Sequence, residues 1–298
     1  MNALNTSMSP PESSPVKGVV YMVLSGLCFI SLTAGVKYLG PGIPAPQSAF
    51  LRYALGLVFL IPMLGVLRRA VIDAALWRAF IGRGAAHTFA VMLWFYAMTQ
   101  IPIAEVSAMG YLSPIFTSIG AAFFLGERLR LRRIAAIAAA VVGALVILRP
   151  GMRELNAGHL AMLGTSLFFS ISYLMAKSLS GKASPMVVVS MLSVVVTIGL
   201  IPFAAAVWQP VSLFEVAVFF AIAAAATLGH YLMTMAFACA PITVTQPVTA
   251  LGLVWSVVLG ATLFDEPVDA FVVLGGLLIV GAVIFIALRE HQLRRRGA

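Results

Sequence analysis

Charge is scarce in this chain: Asp, Glu, Lys and Arg make up only 10% of its 298 residues, against 61% hydrophobic. Soluble globular domains carry about a quarter charged residues. Water cannot solvate a surface of this composition, so most of it must face lipid or other helices. Cysteine is scarcer still. Cys28 and Cys239 both sit inside apolar runs, which excludes a disulfide framework or a thiolate metal cluster and leaves two small packing residues. The four histidines, His87, His159, His230 and His291, show no HExxH spacing, and no GxSxG occurs. An intramembrane enzyme therefore has no motif to support it, and neither a metal nor a cofactor is expected. The net charge of +9 is no nucleic-acid footprint either, because the basic residues lie between apolar runs rather than along one patch.

Long apolar runs are what the chain has in quantity. A helix needs about 20 apolar residues to cross a hydrocarbon core about 30 Å thick. Lipid offers the backbone no hydrogen bonds, so each run must be helical. The expected fold is an all-α integral membrane protein of about ten transmembrane helices, at roughly 18–38, 47–67, 77–99, 102–125, 131–149, 157–179, 184–207, 214–238, 241–264 and 270–289. Residues 1–17, rich in Ser and Pro, read as a disordered cytoplasmic tail, and 291–298 as a basic cytoplasmic tail. The first run is too long for a signal-peptide core and reads as a retained helix. Two links are very tight, TQIP before Ile103 and CAP before Ile242. Proline at a helix start loses only an N–H that would be unpaired there, so both read as helical hairpins.

With the N-terminus cytoplasmic, fifteen of the nineteen Lys and Arg fall on the cytoplasmic side, Arg83 among them. Lys37, Arg52, Arg149 and Arg153 fall on the other. This positive-inside bias places both termini in the cytoplasm of a multi-pass protein, in a bacterial-type inner membrane.

The chain also repeats itself. Gly18, Met22, Phe29, Lys37 and Pro62 recur 140 residues later as Gly158, Met162, Phe169, Lys177 and Pro202. Ala97, Pro102, Ile103 and Glu127 recur 139 later as Ala236, Pro241, Ile242 and Glu266. The repeats are read as 18–149 and 150–290, five helices each. An odd number forces the second repeat to enter the membrane upside down. Inverted repeats are the architecture of carriers that open to each side in turn, with the solute near the midplane between the halves.

The hairpin WFYAMTQIPIAEVSAMGYLSPIFTSIGAAFFLGERL and its partner MAFACAPITVTQPVTALGLVWSVVLGATLFDEPV carry a family likeness. In each, a tight Pro turn leads to a helix ending in Glu127 or Glu266, followed by a small-residue helix with Gly143 or Gly281. The pattern resembles the EamA-type branch of the drug/metabolite transporter superfamily over about 18–289. Asp265 and Pro267 depart from it, standing where the first hairpin has Gly126 and Arg128. The resemblance implies a carrier with a central cavity that exports metabolites, commonly amino acids. It leads us to expect an exporter of amino acids including aromatic ones, as in the YddG-type group. The expected partners are a small-molecule solute and the lipid bilayer.

Substrate-binding candidates are the polar and aromatic residues near the midplane. A buried imidazole is expensive without a partner and often functional in membranes, which selects His87 and His230. Rings that stack on a solute select Phe29, Trp94, Tyr96, Tyr111, Phe169, Tyr173 and Trp255. Ser113 and Ser170 are candidates to hold polar ends. Pro62, Pro114, Pro202 and Pro247 interrupt their helices and are the expected hinges or gates. Lys37 reads as a snorkelling helix-end residue. Arg52, one turn into the second helix, reads either as an interfacial anchor or as an attractor of anionic groups.

Nine of the ten carboxylates fall in tails, connections or helix ends, and only Glu105 is read as lying within the membrane. Proton- or sodium-driven carriers use buried ionisable groups, so gradient-driven, facilitated transport is expected. A proton-coupled multidrug or metabolite carrier is the alternative. A channel would show charged rings or a continuous polar stripe, whereas the hydroxyls here are scattered. Small-residue faces (Ala135, Ala139, Gly143; Gly275, Gly276) fit either a homo-oligomer contact or packing within the chain.

Overall fold

The computed structural model describes residues 14–125, 131–152, 154–179, 182–240 and 242–296. Thirteen α-helices follow in order: α1 (Pro15–Leu39), α2 (Ala45–Gly56), α3 (Leu64–Arg69), α4 (Ala74–Gln100), α5 (Ile103–Gly110), α6 (Leu112–Leu125), α7 (Leu131–Leu148), α8 (Ala157–Leu179), α9 (Pro185–Ala206), α10 (Leu213–Cys239), α11 (Ile242–Thr249), α12 (Leu251–Leu263) and α13 (Ala270–Arg296). Their starts are set locally. Ser14 caps α1 ahead of Pro15, Asp73 caps α4 through the Leu76 N–H at 2.7 Å, and Ser212 with Glu215 forms a capping box on α10. The helix α1 begins three residues before the expected Gly18, and α13 continues to Arg296, into the stretch read as a basic tail.

Among the described residues, eight segments are long and apolar enough to cross a membrane. The 27-residue α4, more polar because it carries Arg78, Arg83 and His87, and the consecutive pair α11–α12 bring the spans to ten. A 3-10 stretch, Leu57–Met63, joins α2 to α3 and contains Pro62.

The inversion is visible in the packing. The N-terminal turns of α1 rest on the α10–α11 hairpin: the Ser14 N–H donates to the Cys239 carbonyl at 3.0 Å, and a Cβ at Gly18 would overlap the Ala240 side chain at 2.3 Å. At the opposite end, α8 rests on the α4–α5 hairpin in the same manner. A Cβ at Gly158 would come within 2.8 Å of Gln100 and Ile101. The two glycines are 140 residues apart and the two hairpins 139. Sequence repeat and contact geometry therefore describe one symmetry. The mates α2 and α9 pack together, as do α7 and α13.

The small residues of α7 and α13 meet each other. A Cβ at Gly143 would sit 2.6 Å from the Gly275 carbonyl oxygen, and one at Gly275 would sit 2.5 Å from that of Gly143. Gly281, in the corresponding helix of the second repeat, has nothing within 4 Å among the described residues. Gly143 and Gly275 are thus occupied inside the chain, whereas Gly281 is not.

The helices around Pro114 and Pro247 are interrupted, yet not at the prolines. The breaks fall at Tyr111, between α5 and α6, and at Ala250, between α11 and α12. These positions are 139 residues apart, so the break is repeated although the proline is not: one lies three residues after it, the other three before. Pro202 sits inside α9, which runs through it from Pro185 to Ala206. Lys177, Gln246 and Pro247 have side chains outside the described residues, as does the whole of Glu127 and Pro241.

Candidate functional site

A cavity of about 490 Å3 opens in the middle of the bundle, walled by helices of both repeats. Its volume suits a metabolite-sized solute. From the first repeat it takes Phe29 of α1, Arg52 and Tyr53 of α2, His87 and Trp94 of α4, Tyr111 at the first break, and Ser113 and Pro114 of α6. From the second it takes Phe169 and Tyr173 of α8, His230 of α10 and Trp255 of α12. Nine of the eleven binding residues expected from the sequence therefore meet at one site. Tyr96 and Ser170 do not line it. Tyr96 is two residues past Trp94, about 200° around the helix, and is 37% exposed on the outer face. Ser170 is one residue past Phe169 and is buried between helices. Pro62 lies elsewhere, in a surface groove beside Lys182 and Ser184.

Tyr53, which no sequence signal singles out, organises one wall. The guanidinium carbon of Arg52 lies 3.9 Å from the centre of its ring. Its hydroxyl is 3.0 Å from His87 Nε2, and His87 Nδ1 is 3.1 Å from the Ser172 hydroxyl. Both nitrogens of a buried imidazole are thereby satisfied, which offsets the cost of placing it in apolar surroundings. Beside it, Phe169 and Tyr173, one helical turn apart on α8, stack at 5.9 Å with planes 12° apart. Trp94 meets Phe169 at 6.0 Å, nearly edge-on. On the facing wall His230 meets Phe29 edge-to-face at 4.9 Å. The cavity thus offers ring faces and edges at planar-aromatic spacing.

One end of the bundle is tied together by charge. Glu266, between α12 and α13, pairs with Lys37 at the end of α1 and accepts the Ile103 N–H at 2.9 Å. That N–H is one of the orphan donors at the start of α5, where a carboxylate also meets the helix dipole favourably. The Lys37 ammonium donates in addition to the Ile101 carbonyl at 2.9 Å. Lys37 is therefore an interhelix tie rather than a snorkelling residue. Glu105 and His159 pair at 2.5 Å, both almost fully buried, and Arg149 pairs with Asp269 nearby. Glu105 belongs to this end of the bundle and to a separate pocket lined by Gln100, Asn156 and Glu266, not to the central cavity. Ion pairs between described residues occur at this end only.

Arg83 is a further residue whose place the sequence misleads on. By charge pattern it counts with the cytoplasmic surface, yet it lies nine residues into α4 with 8% of its surface exposed. Its Nη1 donates to the Val188 carbonyl at 3.2 Å, and its Nε has no partner among the described residues. A basic residue two and a half turns inside an apolar helix is the signal that could have found it.

Comparison with known proteins agrees with this architecture. The sequence pattern of the EamA-like transporter family matches residues 16–149 and again 156–288, once per repeat. A riboflavin transporter of Rhizobium johnstonii is 30% identical, over 98% of this chain and 98% of its own. An S-adenosylmethionine uptake transporter of Rickettsia bellii is 26% identical, over 92% of this chain and 94% of its own. A pseudopaline exporter of Pseudomonas aeruginosa is 28% identical, over 91% and 95%. A solved crystal structure superposes at a TM-score of 0.58 over 92% of this chain and 98% of its own; at 18% identity it bears on the fold alone.

Proposed function

The chain belongs to the EamA-like transporter family of small-metabolite carriers, and from that premise we propose that it moves a metabolite bearing a flat aromatic ring through the central cavity by alternating access. The observation that carries the reading is the ring cluster itself: Phe29, Trp94, Tyr111, Phe169, Tyr173 and Trp255, drawn from both repeats, around one cavity. Aromatic amino acids fit it, and export of amino acids is the working assignment. Two solutes named for the relatives, riboflavin and S-adenosylmethionine, also carry flat heteroaromatic rings.

Inverted symmetry supplies the two states. The end tied by Lys37 and Glu266 is the closed gate in this conformation, and Pro62, Pro114, Pro202 and Pro247 are proposed hinges. With the N-terminus cytoplasmic, as the basic residues suggest, the closed gate faces away from the cytoplasm. Transport is facilitated, because Glu105 is held in a pair at that gate instead of facing the solute. The test is a liposome uptake screen with the reconstituted full chain over aromatic and aliphatic amino acids, riboflavin, S-adenosylmethionine and amphipathic cations. Saturable flux confined to ring-bearing solutes is expected. Flux confined to aliphatic solutes would refute the reading.

A further inference from the structure

Two arginines enter the membrane from opposite ends and approach the same level. Arg52 is seven residues from the start of α2, and Arg83 nine residues from the start of α4, which enters from the other side. At 1.5 Å per residue these are depths of about 10 and 14 Å in a core about 30 Å thick. Arg52 lines the cavity and lies over Tyr53. Arg83 is one turn before His87 on α4, near enough to Tyr53, His87 and Tyr173 for its charge to act on each. Neither forms an ion pair with another described residue. No carboxylate lines the cavity among the described residues.

An arginine at membrane depth is costly and marks the path of an ion or substrate unless something compensates it. The walls of this cavity compensate neither charge. Tyr53 presents its ring face to Arg52, and its hydroxyl, shared with His87, offers Arg52 at most a neutral hydrogen-bond partner and no counter-charge. Arg83 has one backbone carbonyl and one unpartnered Nε. A guanidinium offers a fork of donors whose geometry matches a carboxylate or a phosphate.

We infer that the solute carries an oxyanion, a carboxylate or a phosphate, held by Arg52 while its ring lies among the aromatic residues, with Arg83 as the next anion contact toward the end remote from Lys37. The cavity then selects by two features at once, a ring and an anion on one molecule, and it disfavours cations. This rests on the carrier reading above and deepens it by naming the charge of the solute.

The test is calorimetric binding to the purified full chain in detergent micelles, using two matched pairs of probes. Indole-3-acetate against indole-3-acetamide tests a carboxylate, and flavin mononucleotide against riboflavin tests a phosphate. At least one anion is expected to bind about 10- to 100-fold more tightly than its neutral partner, the size of one charge-assisted contact. Which pair shows the difference identifies the oxyanion. Arg52→Gln should bring that ratio close to one, and Arg52→Lys, which keeps the charge and loses the fork, should leave an intermediate ratio and serves if the glutamine variant does not fold. Equal binding within both pairs, an advantage that survives Arg52→Gln, or no binding of any probe would overturn the inference. Binding that follows the prediction without flux in liposomes would count against the carrier reading alone.

Discussion

The Tyr111 hydroxyl donates to the Thr249 carbonyl at 2.5 Å, joining the helix break of one repeat to the break of the other. The carbonyl is exposed by the break itself. The Leu253 N–H, which would bond Thr249 in a continuous helix, bonds the Ala250 carbonyl instead at 3.1 Å. A pair of interrupted helices linked across the cavity is a junction through which the two repeats sense one another.

Tyr111→Phe keeps the ring in the cavity and removes this link. It should lower the maximal transport rate several-fold with little change in apparent affinity, and cost about 0.5–1.5 kcal/mol of stability, the usual worth of one hydrogen bond. Transport kinetics paired with thermal unfolding in micelles measure both. A change confined to affinity would make Tyr111 a solute contact only.

Lys37→Met should loosen the closed gate. It breaks the pair with Glu266, whose second oxygen still caps α5 through the Ile103 N–H. With Cys28 and Cys239 replaced by Ala, Val272→Cys in the pocket behind the gate should react severalfold faster with an impermeant maleimide added on the Lys37 side. An unchanged rate would show that the pair does not hold this end closed.

Glu105→Gln should spare transport driven by a solute gradient. Breaking its pair with His159 at a buried site should lower stability by roughly 1–3 kcal/mol. Uphill accumulation by the parent chain under an imposed pH gradient, abolished in this variant, would instead establish proton coupling at Glu105.

Gly275→Val and Gly281→Ala separate packing within the chain from packing between chains. The first drives a side chain into the Gly143 carbonyl and should cost at least about 1–3 kcal/mol. The second meets nothing within 4 Å and should be neutral or slightly stabilising, as a better helix former. Thermal unfolding of the two variants decides it; equal stability would move the tight seam elsewhere.

Span positions, both hairpins and the inverted repeat are legible in the sequence, because the length of an apolar run and a tight proline turn are local signals. The inward face of each helix is not. A membrane helix is apolar all round, since lipid is as apolar as a packed neighbour, so periodicity cannot tell Trp94 from Tyr96 or Phe169 from Ser170. Tyr53 and Arg83 escape for related reasons: one is a single ring among many, the other a basic residue that pattern attributes to the nearest loop. The paired interruptions at Tyr111 and Ala250 are repeated although the prolines are not, since Pro114 follows its break by three residues and Pro247 precedes its own by three.

The most direct measurement is counterflow: proteoliposomes preloaded with unlabelled aromatic solute, with trace labelled solute added outside. A carrier with one cavity between two repeats predicts a transient overshoot of label that saturates with solute and falls at least about tenfold in Trp94→Ala and Phe169→Ala, the loss expected when a stacking ring is removed. Flux that stays linear with concentration, never overshoots, and is indifferent to both substitutions would contradict it.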